Sequence, residues 1–188
     1  MKKLGLLFVA VAFSAVSSAQ NWTMNMEGAK VNFNVVSKKT TGTFKKVESK
    51  ITFDVANLTA SEIEGTIDVN SIDTKNKGRD KHLLSADYFD AKKFSTITFN
   101  STSIIKSRDG GYKMAGKITI KGVEKDINLH FTFSETDGKG IFKAKAMLMA
   151  DDFGVVIDKK KHENNKIMIE IEIPVSAASI KKEDAAKK

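Results

Sequence analysis

From Trp22 to Val175 apolar and polar residues alternate almost without a break, and a side-chain period of two belongs to strands, not helices. The apolar partners are Trp22, Met24 and Met26, then Val31, Phe33 and Val35, then Ile51, Phe53 and Val55. The pattern resumes at Ile63, Gly65, Ile67 and Val69, at Ile97, Phe99, Ser101 and Ser103, and at Tyr112, Met114, Gly116, Ile118 and Ile120. Ile127, Leu129, Phe131 and Phe133, then Phe142, Ala144, Ala146 and Leu148, and finally Ile167 through Val175 complete it. Eight or nine amphipathic strands follow. Asp109-Gly110-Gly111, Lys121-Gly122 and Asp137-Gly138 supply tight turns, so consecutive strands run antiparallel. Between Asp73 and Phe94 the alternation lapses, and Arg79 to Leu84 reads as a short helix entered through Asn76-Lys77-Gly78. A meander of this length must dispose of its edges by closing into a barrel or by packing two sheets.

The segment before Trp22 has a different character. Lys2 and Lys3 precede an apolar run from Leu4 to Ala15, and Ser17-Ser18-Ala19 places small residues at a cleavage site. A dozen apolar residues reach only about 18 Å as a helix, short of a hydrocarbon core of about 30 Å. The expectation is a signal peptide over 1–19, a barrel domain over 20–176, a charged tail over 177–188, and a periplasmic or secreted protein. Subtracting those 19 residues and their two lysines from the 188 leaves 169 residues with a formal charge of +6. There is no cysteine, which excludes disulfides, thiolate metal sites and a Cys nucleophile, and leaves the core to stabilise the fold alone.

Membrane-spanning barrels also alternate, but one Trp and two Tyr are too few for aromatic girdles, and the polar faces carry Lys143, Lys145, Glu170 and Glu172. The basic residues lie on polar faces, in Lys159–Lys161 and in the tail, without interleaved aromatics to stack bases, so nucleic acid is not expected. Catalytic machinery is equally sparse. His82, His130 and His162 share no metal-ligand spacing, and no Ser stands in a nucleophile-elbow context. Neither an enzyme, nor a cofactor, nor a metal is expected. Ile141, Met147 and Met149, on the side opposite the inward face, suggest a patch for a homodimer.

The inward face mixes large side chains with Gly65, Gly116, Ala144, Ala146, Ser101 and Ser103. Such small residues either leave room for a ligand or seat bulky neighbours across a solid barrel. Composition leaves both open.

Ser71-Ile72-Asp73-Thr74, Arg79-Asp80-Lys81-His82-Leu83, Ser85 and Asp87-Tyr88-Phe89-Asp90 form one recognisable run. Thr41-Gly42-Thr43-Phe44 precedes it; Phe94 with Ile97-Thr98-Phe99, Gly116 to Lys125, and Asp152-Phe153-Gly154 follow in order. In these motifs and their spacing the chain resembles the YceI-like family across nearly its whole length after the leader. The resemblance implies an all-β, antiparallel lipocalin-like barrel with one helical insertion, exported, holding a polyprenyl or quinone-like isoprenoid lipid in an apolar interior. One departure is Ala150, where family members often carry an arginine. With the resemblance, the expected ligand-binding residues are Phe33, Phe44, Phe53, Ile67, Phe99, Ile118, Phe131, Ala144, Ala146 and Phe153. Leu83, Leu84 and Phe89 would cover one end, and Arg79 and His82 would stand near its mouth, where Arg79 has either a head group or an ion pair with Asp80 or Asp87 as its partner. The alternative is a stress-related interaction module with a solid barrel and Lys159–Lys161 as its binding surface.

Overall fold

A computed structural model describes residues 20–178, so the expected leader and residues 179–188 of the tail lie outside the described residues. The strands are β1 (Gln20–Met24), β2 (Lys30–Val35), β3 (Thr40–Phe44), β4 (Val47–Phe53), β5 (Glu62–Asp68) and β6 (Ile72–Asp73). After α1 (Lys77–Leu83) come β7 (Thr96–Lys106), β8 (Tyr112–Ile120), β9 (Val123–Thr136), β10 (Lys139–Met149) and β11 (Lys166–Ala177).

Eight strands close a ring in the order β1-β4-β5-β7-β8-β9-β10-β11, with β11 returning to β1, and every pairing is antiparallel. The expected barrel is what forms. One strand carries two neighbours on the same edge: β11 pairs with β1 through Val175–Ala177 and with β2 through Ile167–Glu172. At that second level the wall continues through β2, β3 and β6, where Phe44 stands opposite Ile72. Lys121-Gly122 and Asp137-Gly138 both have two consecutive positive φ angles (51° and 76°, 53° and 72°), the backbone of two-residue hairpins whose twist matches that of the strands.

Five details depart from the simple alternation: Val55 lies exposed beyond the end of β4 at Phe53, Val69 is buried on a 3-10 turn after β5, and three more have an evident cause. Met26 is not on a strand: it opens a 3-10 turn capped by Asn25 and is exposed, because the chain must leave β1 before starting β2. The register of β7 slips between Ser101 and Ser103, and the bulge turns Ser103 outward and Ile104 into the core. The helix starts at Lys77, earlier than Arg79, because the Asn76 side chain accepts the Arg79 backbone N–H and serves as its N-cap.

The outer face of β10 and β11 carries cross-strand pairs, Lys143 with Glu172 at 3.4 Å and Lys145 with Glu170 at 2.8 Å. Of Ile141, Met147 and Met149, only Met147 is well exposed, so the expected dimer patch shrinks to one side chain. Among the described residues no helix is long and apolar enough to cross a membrane.

Candidate functional site

The two ends of the barrel are built differently. At the end where β4 finishes and β8 and β10 begin, Phe53 is buried with its ring 5.1–5.7 Å from those of Tyr112, Phe131, Phe133 and Phe142. Trp22 meets Phe133 edge-on at 5.0 Å, and its indole N–H donates to the Phe53 carbonyl. Mostly edge-to-face packing of this kind adds stabilisation beyond area burial. Phe53 therefore does not line the interior as expected; it plugs the far end, since in the last residues of a strand the inward direction points at the closure.

Above the plug lie two apolar chambers. The inner one, about 150 Å³, is lined among others by Ile67, Phe99, Ile118, Phe131, Ala144 and Ala146. The outer one, about 320 Å³, is lined among others by Phe33, Val35, Leu83, Phe89, Phe153 and Ile157. Phe44, Ile97, Ile120, Leu148 and Ile169 line both and form the waist between them. Of the fifteen residues expected at the interior, its cover and its mouth, thirteen border one chamber or the other, and Phe53 and Leu84 do not. The small residues divide between the two readings. A Cβ on Gly116 would lie 2.5 Å from the Phe99 ring, so that glycine seats an aromatic, whereas a Cβ on Gly65 would meet nothing nearer than the Glu48 carbonyl at 4.0 Å, an ordinary contact. Ala144 sits in register between Phe131 and Ile171, a small residue between large ones.

The outer chamber opens beneath α1, the 36–39 turn and the 154–157 segment. Its polar border is Lys38, Thr40, Arg79, His82 and Tyr88, with no carboxylate among its lining residues. Arg79 is held by neither Asp80 nor Asp87: its Nε donates to Thr74 Oγ1 at 2.8 Å and its Nη2 to the Thr74 carbonyl at 2.7 Å. Thr74 is buried, and its hydroxyl and backbone N–H both donate to Asp80, which locks the helix onto β6. His82 stands 3.7 Å from Asp87 and edge-on to Tyr88.

Asn165 belongs to no motif or period in the sequence. It is 0% exposed, its Oδ1 accepts the backbone N–H groups of Ile157 and Asp158, and its Nδ2 donates to the carbonyls of Asp158, Lys161 and His162. One side chain thereby folds a loop that borders the mouth. An Asn-Asn pair ahead of a strand was its only signal. Asp158 in the same loop is held below the usual carboxylate range by the Asn164 amide, by the backbone N–H groups of Lys160 and Lys161, and by the charge of Lys38. His162, ungrouped in the sequence, comes 2.6 Å from Asp151 with Asp152 nearby; the chain folds back between residues 152 and 162, which spacing does not reveal. This trio lies outside the lining of both chambers except where its neighbours Ala150 and Phe153 enter the outer one.

The motif runs, far apart in sequence, converge at this mouth. Lys121, from the β8–β9 hairpin, donates to the Ala86 carbonyl of the insertion and to the Gly154 carbonyl at the end of Asp152-Phe153-Gly154. Residues 22–178 match the model of the YceI-like domain. The chain belongs to the YceI-like family. Its YceI-like relatives include Protein YceI of Escherichia coli O157:H7, 35% identical over 175 residues, which cover 84% of this chain and 90% of that protein. Among solved structures, the YceI-like barrel resembles BcnA of Burkholderia cenocepacia, with 25% identity and a TM-score of 0.76 over 81% of this chain and 99% of that one. A polyisoprenoid binding domain from Saccharophagus degradans shares the YceI-like fold at 14% identity, with a TM-score of 0.61 over 85% of this chain and 99% of that domain.

Proposed function

We propose that this protein is a non-catalytic carrier that holds one isoprenoid-type lipid, polyprenyl or quinone-like, with its tail in the two chambers and its head at the Arg79 and His82 rim. The observation that carries the reading is the apolar interior itself, open at one end and plugged by aromatics at the other. An unbranched or isoprenoid tail has nothing to hydrogen-bond, and each buried carbon contributes about 0.8 kcal/mol. At roughly 30 Å³ for a water-sized group, near that of a methylene, the outer chamber takes about ten tail carbons and the inner about five. Walls of hydrocarbon hold a ligand without transforming it. The polyisoprenoid binding described for the Saccharophagus domain supports the same ligand class, and the chamber volumes count against a solid barrel.

Export belongs to the same reading. Cleavage after Ala19 would leave Gln20, the first residue of β1, at the start of the mature chain. Organic extraction of the protein purified from its own host, followed by mass spectrometry, is expected to release an isoprenoid lipid from a chain beginning at Gln20. An extract without lipid, from a protein that also takes up no farnesol, would refute the carrier; an intact residue 1–19 segment on the extracellular or periplasmic protein would refute cleavage.

A further inference from the structure

Charge is spread unevenly along the barrel axis. The segments at the open end, residues 36–39, 45–46, 69–95, 121–122 and 150–165, hold fourteen lysines and arginines against eight aspartates and glutamates. The other described residues hold eleven against thirteen. The mouth is therefore +6 and the remainder −2. Several of the mouth's acids are engaged within the protein, Asp80 with Thr74 and Asp151 with His162, while Asp73 occupies Lys45 and Lys75 and leaves Lys159–Lys161 and Lys38 to face outward. Lys159, Lys160 and Lys161 are exposed on a loop fixed by Asn165, and two exposed aliphatics stand among the lysines, Val36 at 46% beside Lys38 and Val123 at 37% beyond Lys121.

We propose that the open end docks face-down on an anionic bilayer, with the lysines against lipid phosphates and Val36 and Val123 at the headgroup boundary. Cations close to an anionic leaflet are attracted by its surface potential, and apolar side chains among them add burial at the interface. The orientation matters because the chamber mouth is on that same end. A tail passing between bilayer and barrel then avoids exposing its full length to water. The inference goes beyond the carrier reading and is tested without any isoprenoid, so the two can fail separately.

The experiment is co-sedimentation of the ligand-free protein with vesicles of phosphatidylcholine alone and of phosphatidylcholine with one-third phosphatidylglycerol. Binding is expected only to the anionic vesicles and is expected to weaken with salt. Two variants of equal net charge separate orientation from bulk charge: K159E/K160E/K161E at the mouth and K106E/R108E/K139E at the plugged end. The first is expected to lose about a hundredfold or more in partitioning, at ~1 kcal/mol per cation, and the second less than about threefold. Circular dichroism establishes that each is folded. As an independent readout, Val36→Trp should shift its emission to the blue on anionic vesicles, while Val55→Trp, at the plugged end and also exposed, should not. Equal losses in the two charge variants, or equal shifts in the two tryptophan variants, would overturn the proposal.

Discussion

Replacing Ala146 by leucine should shorten the tail that the barrel accepts without touching its mouth. Ala146 lies on β10 opposite Ile169 and lines the inner chamber alone. Leucine adds three carbons, which occupy roughly 90 Å³ at ~30 Å³ each, of the 150 Å³ available. About three tail carbons lose their place, a loss of about 2.4 kcal/mol at ~0.8 kcal/mol each, or roughly 60-fold in affinity. Only tails long enough to pass the waist should notice. Geraniol, with ten carbons, fits the outer chamber and should bind the variant and the parent alike; farnesol, with fifteen, should lose the full factor. Displacement of a polarity-sensitive fluorophore, titrated with each alcohol, reads both affinities. Because the added carbons enter a void and not a filled core, thermal stability is expected to be unchanged or higher, which guards against a misfolded variant. Equal losses for both alcohols, or no loss for farnesol in a protein of unchanged Tm, would refute the two-chamber reasoning.

Phe53→Ala removes the centre of the aromatic plug and is expected to cost about 3–5 kcal/mol, a fall in Tm on the order of 10 °C by calorimetry. Asn165→Ala strands the N–H groups of Ile157 and Asp158 and three carbonyls; hydrogen exchange should speed up over 157–165 while the plugged end keeps its protection. Acid should act on the same end. The carboxyl of Asp73, bonded by Lys45 and by the backbone and side chain of Lys75, and that of Asp158 both titrate below their ordinary value near 3.8, so their contribution is present above that pH and disappears as pH falls through the lowered folded values. Asp68, at the mouth end of β5, is also lowered, whereas at the plugged end Asp109, bonded by Ser107 and the Gly111 N–H, is the one lowered carboxyl among the described residues. Exchange measured at pH 7, 4 and 2.5 is therefore expected to show the mouth loosening more, and Asp158→Asn should blunt that difference; uniform loosening would count against it.

The barrel was legible because a strand with one wet face declares itself every second residue, as in Ile127, Leu129, Phe131 and Phe133, all of which have the expected orientation. Hairpins were legible for a similar local reason, since Asp137-Gly138 and Lys121-Gly122 occupy backbone that few pairs adopt easily. Depth along the barrel was not. Alternation says that Phe53 and Phe99 both point inward, but not that one ends at a plug and the other borders a void, because that depends on strand stagger. The β7 bulge likewise leaves no mark in Ser101-Thr102-Ser103. At the mouth the decisive contacts join positions far apart or buried within loops: Arg79 takes Thr74 as its partner although two carboxylates are close in sequence, and Asn165 organises carbonyls that no periodicity singles out. Loop geometry of this kind is set by hydrogen bonds, not by hydrophobic rhythm.

The seam between β1 and β11 has a consequence for how the molecule comes into being. The ring is completed by its first strand joining its last, through Trp22 with Ala177 and Met24 with Val175. Until β11, Lys166–Ala177, is in place, the sheet is an open ribbon with two bare edges, and loop-closure entropy makes such end-to-end pairing a late step. A chain emerging gradually from a ribosome therefore stays unsealed, and a truncation before Val175 forfeits the seam itself.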